Sequence, residues 1–177
     1  MKFFELELND AFIIELEKFT DQRGFFARTF DHMQFEEKGL ESTIVQTNIS
    51  FTEKKGTIRG LHYQINPFEE TKIVMCSKGK IFDVIIDVRK KSNTFGKWIG
   101  LELNGKNSKI LYIPKGFAHG FQTLEDNSQV IYQNSQIHKP EYEKGIRWDD
   151  PFFKIKWPLN EKIISDKDES WKNFEEN

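Results

Sequence analysis

The chain has 177 residues, 31% of them charged, and a formal net charge of -2 at pH 7. That length can build a hydrophobic core without staples, so one domain over 1–177 is expected, and the near-neutral charge leaves no basic footprint for nucleic acid. A single cysteine, Cys76, excludes an intrachain disulfide, and neither Met1 to Asp10 nor any later stretch reads as a leader or a membrane span, so the expected location is the cytoplasm.

The first predicted element is a short helix over Asp31 to Gly39, opened by an N-cap residue type and closed by glycine. From Thr43 to Ile137, short apolar runs alternate with Gly, Asn, Asp and Ser punctuation, the pattern of an antiparallel β-sandwich or barrel. Strands are predicted over Lys72 to Cys76, Lys80 to Arg89, Trp98 to Leu103, Lys109 to Ile113 and Gln129 to Asn134. Asn104-Gly105 predicts a hairpin turn, and Ser77-Lys78-Gly79 a second tight reversal. Ile81 to Val88 is apolar except at Asp83 and Asp87, which predicts a central strand covered on both faces. Those two aspartates share one side. Anchoring of loops or facing a partner subunit explains them at least as well as paired catalytic carboxylates, so no chemistry is assigned to them. Ser165 to Phe174 offers a second short helix, and the polar segment after Pro158 is expected to fray in part.

Four histidines occur in the chain, and two stand in similar settings: Gly60-Leu61-His62-Tyr63-Gln64 and Pro114-Lys115-Gly116-Phe117-Ala118-His119-Gly120. The second matches the Pro-x-Gly-x-x-His motif of cupin barrels. A metal-binding cupin would carry a second histidine where Gln64 stands, and an amide is a poor transition-metal ligand. A metal set of His62, His119 and Glu69 or Glu70 is therefore the runner-up, and no metal is the leading expectation. Without metal, an imidazole exchanges a proton near neutral pH and needs a carboxylate to orient it. Asp166 and Asp168, in Ile164-Ser165-Asp166-Lys167-Asp168, both offer one. Arg59 and Lys72 are candidates to hold an oxyanion or phosphate. Tyr132 reads first as a core aromatic, although a phenol there could deliver a proton from the face opposite His62.

The chain also resembles a known family along nearly its whole length. The resemblance runs through Asp21-Gln22-Arg23-Gly24-Phe25-Phe26, Gln46-Thr47-Asn48, Arg59-Gly60-Leu61-His62-Tyr63-Gln64, Lys72-Ile73-Val74, Ile81-Phe82-Asp83-Val84, Ser92-Asn93-Thr94-Phe95-Gly96, Ile113 to Phe121, Gly145-Ile146-Arg147-Trp148-Asp149-Asp150-Pro151 and Ile164-Ser165-Asp166-Lys167-Asp168. On these motifs it is similar to the dTDP-4-dehydrorhamnose 3,5-epimerases, metal-independent, cupin-like sugar-nucleotide epimerases. The resemblance implies a mainly β, cupin-type sandwich or jelly-roll barrel with a few short helices. It implies proton abstraction beside a 4-keto group by His62, with Asp168 as its carboxylate, Lys72 on the enolate oxygen and Tyr132 as the acid. It further implies substrate binding by Arg23, Phe26, Gln46, Asn48, Arg59 and His119, no cofactor, and a homodimer that exchanges N-terminal strands. Two departures stand out: Arg28 replaces a family carboxylate, and His138 replaces a tyrosine close to the pocket. Epimerisation at only one carbon, a metal-dependent cupin oxygenase and a non-catalytic sugar-nucleotide binding module are the alternatives.

Overall fold

A computed structural model describes residues 1–174. Six strands form one antiparallel sheet in the order β1 (Lys2–Glu5), β2 (Phe12–Glu15), β10 (Lys109–Ile113), β7 (Lys72–Lys78), β12 (Ser128–Asn134) and β5 (Gln46–Thr52). Five form the other: β13 (Glu143–Gly145), β6 (Ile58–Gln64), β11 (Phe117–Thr123), β8 (Lys80–Asp87) and β9 (Trp98–Asn104). A separate hairpin pairs β3 (Lys18–Asp21) with β4 (Gly24–Ala27). The architecture is the expected mainly β sandwich.

Between the two sheets lies a core of alternate residues from both, among them Val74, Cys76, Ile81, Ile85, Leu111, Ile113, Phe117 and Val130. Cys76 is buried there, and burial pushes its thiol up to about 11. The outer face of the five-stranded sheet is covered in turn: Leu61, Val84, Ile86 and Ala118 pack against Ile146 and Phe153 of the C-terminal third. This second cover explains why β8 reads as apolar on both faces. The outer face of the six-stranded sheet is covered by α1 (His32–Glu37), whose fully buried Phe35 packs with Ile14, Ile73, Ile110 and Tyr112. Its N-cap is Asp31, as expected, which accepts from Gln34 N at 3.3 Å and also holds Arg28 at 2.6 Å.

Several sequence expectations need correction. Asn104-Gly105 does not close a hairpin, because β9 pairs with β8 in one sheet while β10 pairs with β2 and β7 in the other. Ser77-Lys78-Gly79 likewise carries the chain from one sheet to the other, from β7 to β8. Turn residues report that the chain reverses, and the burial of both faces decides which strand it then joins. The strand expected to reach Arg89 ends at Asp87, where Arg89 folds back to donate Nε and Nη2 to that carboxylate. Beyond Pro158 the segment is held to the sheet: Ile58 N donates to Ile163 O and Ile163 N to Gly56 O. The helix expected over Ser165 to Phe174 is a single turn, α2 (Asp166–Glu169), capped by Ser165.

Candidate active site

His62 and His119 are direct register partners on the neighbouring strands β6 and β11. Beyond that pair the register slips, so that Phe121 faces Arg59 and β6 holds one extra residue. Residues three apart on a regular strand point to opposite faces, and a bulge removes that alternation. Arg59 and His62 consequently line one cavity. Gly60 sits at the bulge with φ +112°, and a Cβ there would stand 2.6 Å from Gly120 Cα. Only glycine fits that approach.

The bulge also opens the backbone to α2. Gly60 N donates to Asp168 Oδ2 at 3.2 Å, while His62 Nε2 lies 2.6 Å from Asp168 Oδ1. Burial pushes the Asp168 carboxyl up, but the hydrogen bond and charge of His62, with the Gly60 and Ser165 contacts, outweigh it and hold the carboxyl below its ordinary value. Of the two aspartates the sequence offers, Asp168 is the one that meets the imidazole. On the other side of the ring, His62 Nδ1 lies 3.7 Å from Glu143 Oε1. Trp171 stands edge-on to the imidazole at 6.3 Å, and its indole covers Gly145 so closely that a Cβ there would meet the ring at 2.1 Å.

The cleft has two lobes that share His62, Lys72 and Tyr132. One, of about 290 Å³, is also lined by Ser50, Arg59, His119 and Asp168. The other, of about 410 Å³, adds Gln46, Asn48, Glu70, Asn134, His138 and Glu143. Arg59 is fixed by donating Nε to Thr52 Oγ1 at 2.9 Å. Lys72, from β7, is paired with buried Glu70 at 3.0 Å and points its ammonium toward the His62 carbonyl. Tyr132 is half-buried; burial pushes its phenol up, Arg59 opposes this and Glu70 adds to it, so the group stays protonated at neutral pH. His138 donates its backbone N–H to Gln46 Oε1 at 2.9 Å.

His119 has a carboxylate of its own, which sequence reasoning missed. Its Nε2 lies 3.0 Å from both oxygens of Asp83 and is aimed at Oδ2. Asp83 and Asp87 do share one face of β8, but they serve different ends. Asp87 collects Arg89, Ser92 and Thr94 and thereby anchors the loop after β8. Asp83 backs a cleft residue, and no sequence spacing signals that, because β8 and β11 meet only through their register.

Two expected binding residues are not brought to this cleft. Arg23 is exposed and paired with Asp21 in the β3–β4 turn, and Phe26 stands 68% exposed on β4. A sequence motif gives no sign of whether a residue serves its own cleft or a different surface. Gln64, in the position of a cupin metal ligand, spends its amide on Phe68 O, Glu70, Ile137 O and Lys139 N. Among the described residues no three His, Cys, Asp or Glu side chains are grouped to hold a metal ion. Nor is any described helix long and apolar enough to cross a membrane.

Comparison with known proteins agrees with the geometry. The family model described as dTDP-4-dehydrorhamnose 3,5-epimerase matches residues 5–176. The chain is 45% identical to the enzyme of that name from Methanothermobacter thermautotrophicus, over 99% of this chain and 96% of the relative. It is similar to the crystal structure of the Bacillus anthracis dTDP-4-dehydrorhamnose 3,5-epimerase with TDP and PPi bound, at 39% identity and a TM-score of 0.95, covering 98% and 99% of the two chains. A Legionella pneumophila dTDP-6-deoxy-D-glucose-3,5-epimerase in complex with dTDP-4-keto-L-rhamnose superposes at a TM-score of 0.92, with 38% identity over 97% of this chain and 92% of that one. With the family model, the fold and full-length identity at this level all in agreement, the chain belongs to the dTDP-4-dehydrorhamnose 3,5-epimerase family.

Proposed function

We infer that this chain is an isomerase that inverts carbons 3 and 5 of a dTDP-4-keto-6-deoxyhexose, converting dTDP-4-dehydro-6-deoxyglucose to dTDP-4-dehydrorhamnose. The observation that carries the reading is an imidazole with one nitrogen held by Asp168 and the other in no hydrogen bond among the described residues, in a cleft that also holds an ammonium and a protonated phenol. His62 takes the proton from the carbon beside the ketone. The electron pair moves onto the 4-oxygen, where the Lys72 ammonium holds it. Tyr132 returns a proton to the opposite face, which inverts the centre. Arg59 and His119 in one lobe, and Gln46, Asn48 and His138 in the other, bind the nucleotide sugar.

The same reading calls for a second copy. The β3–β4 hairpin exposes Phe19, Phe25 and Phe26 at 60, 54 and 68%, and an isolated two-stranded ribbon is marginal in water. Docking on a second copy would bury these rings and carry Arg23 and Phe26 to that copy's cleft. Light scattering of the purified protein checks the homodimer. The buried, unpaired Cys76 supports a reducing, cytoplasmic setting.

The decisive experiment is proton NMR of dTDP-4-keto-6-deoxyglucose with the protein in deuterated water. Both the carbon-3 and carbon-5 signals should vanish; loss of one makes the chain a mono-epimerase, and loss of neither points to another sugar nucleotide as substrate or to a binding module. Tyr132→Phe should retain that exchange while losing inversion. Full epimerisation by this variant removes Tyr132 as the acid.

A further inference from the structure

His62 is flanked by two carboxylates. Asp168 accepts from one ring nitrogen, and because it is ionised and can only accept, Nε2 carries the hydrogen and Nδ1 the lone pair. Nδ1 is then the basic atom, and the carboxylate it faces is not Asp168 but Glu143 of β13, whose Oε1 lies 3.7 Å away. That distance is too long for a hydrogen bond and within reach of an ion pair. The other oxygen of Glu143 is held by Lys167 at 2.7 Å, and Lys167 directly precedes Asp168 on α2. The Glu143 side chain is only 11% exposed, so water screens it weakly, whereas Lys167 is 55% exposed. Before reaction two acceptors face each other across Nδ1 and Lys167 neutralises the carboxylate. After proton abstraction the same pair has opposite charges.

We propose that Glu143 is a positioning residue for the base: its carboxylate pairs with the imidazolium that forms when Nδ1 takes the substrate proton, and Lys167 sets the strength of that pairing. The C–H bond breaks, its electron pair passes to the enolate oxygen, and the proton resides on Nδ1 until it returns to solvent. The proposal rests on the reading of His62 as base. The other groups facing the ring are already engaged or lie across the cleft. Asp168 is on Nε2, Lys72 is on Glu70, His119 is on Asp83, Arg59 is on Thr52, and the Tyr132 phenol is neutral.

A structural latch between β13 and α2 predicts something different, since removing either end of the Glu143–Lys167 pair would loosen the same tie. The test is therefore a titration of the His62 ring by NMR in the wild type, Glu143→Gln and Lys167→Met, beside the pH profile of kcat/KM. Glu143→Gln should lower the pH at which the ring protonates by about one unit, and Lys167→Met should raise it by about half a unit. The acid limb of kcat/KM should follow each. Loss of activity in both variants with an unmoved ring titration makes the pair a latch and overturns the proposal, while leaving the base reading standing. Opposite ring shifts that the acid limb fails to follow support the pairing and overturn His62 as the base.

Discussion

Two histidine–aspartate pairs stand side by side on β6 and β11, and they differ in what surrounds them. His62 and His119 face each other across β6 and β11, each with Nε2 on an aspartate, at 2.6 and 3.0 Å. Asp168 reaches His62 from a helical turn 106 residues away, outside the sheets, and leaves the imidazole 27% exposed to the cleft. Asp83 comes from the adjacent strand of the same sheet; it is fully buried, its Oδ1 finds no donor, and His119 is nearly as enclosed. On the proposed function, the same two side chains serve proton transfer in one pair and hold a binding residue in place in the other. The difference lies in whether the second nitrogen has room for a reacting carbon, not in the strength of the first hydrogen bond.

Substitutions on each pair should separate these roles. His62→Ala is expected to have the largest effect, lowering turnover by about 10³-fold or more and abolishing deuterium exchange at both carbons, while Tm changes little. Ordinary exchange by this variant would sink the base assignment. Asp168→Asn should come next, at about 10²- to 10³-fold, because an amide that donates to Nε2 forces the hydrogen onto Nδ1, the wrong tautomer for a base. Asp83→Ala should invert this pattern, costing about 3 kcal/mol of stability by leaving a buried histidine unpaired, with a turnover loss smaller than that of Asp168→Asn. Calorimetry and steady-state rates on both aspartate variants check it. Equal loss of activity from the two would erase the distinction drawn between the pairs.

The contrast also explains what could be read from the residues alone. His62, Lys72, Tyr132 and Asp168, which line one cavity, were legible to different degrees: His62 and Lys72 stand in motifs along the chain, Asp168 was one of two aspartates on offer, and Tyr132 read first as a core aromatic. The helix at Asp31 was legible because its cap is local, formed within three residues. Asp83, Glu143 and Trp171 were not, since each meets its histidine only through strand register or the return of the C-terminal segment, and neither leaves a spacing in the sequence. Asn104-Gly105 misled for a related reason, because a turn signal is the same whether the next strand stays in the sheet or crosses the sandwich. Arg28 stands where the family carries a carboxylate, and the structure gives it a local task, pairing with the Asp31 cap.

The smallest effect expected concerns acid stability, and it tests whether Asp168 is ionised in the pair. In the folded chain its carboxyl lies below the ordinary 3.8, burial being outweighed by His62, Gly60 and Ser165; Asp87 is lowered in the same sense, burial being outweighed by Arg89, Ser92 and Thr94. A carboxyl lowered by folding contributes stability that is fully present above its unfolded value and is lost as pH falls through its folded value. Both contributions should therefore be intact at neutral pH and should fade below about pH 4. Asp168→Asn should melt a few degrees below the wild type at pH 7, and that deficit should shrink as the pH is lowered, because acid removes from the wild type the charge the substitution has already removed. Asp87→Asn, far from any reacting atom, should show the same convergence and serve as the control. Thermal melts of the three proteins between pH 7 and pH 3 measure it. If Asp87→Asn converges with the wild type while the Asp168→Asn deficit stays constant, Asp168 does not meet His62 as a carboxylate, and the tautomer drawn for His62 falls with it.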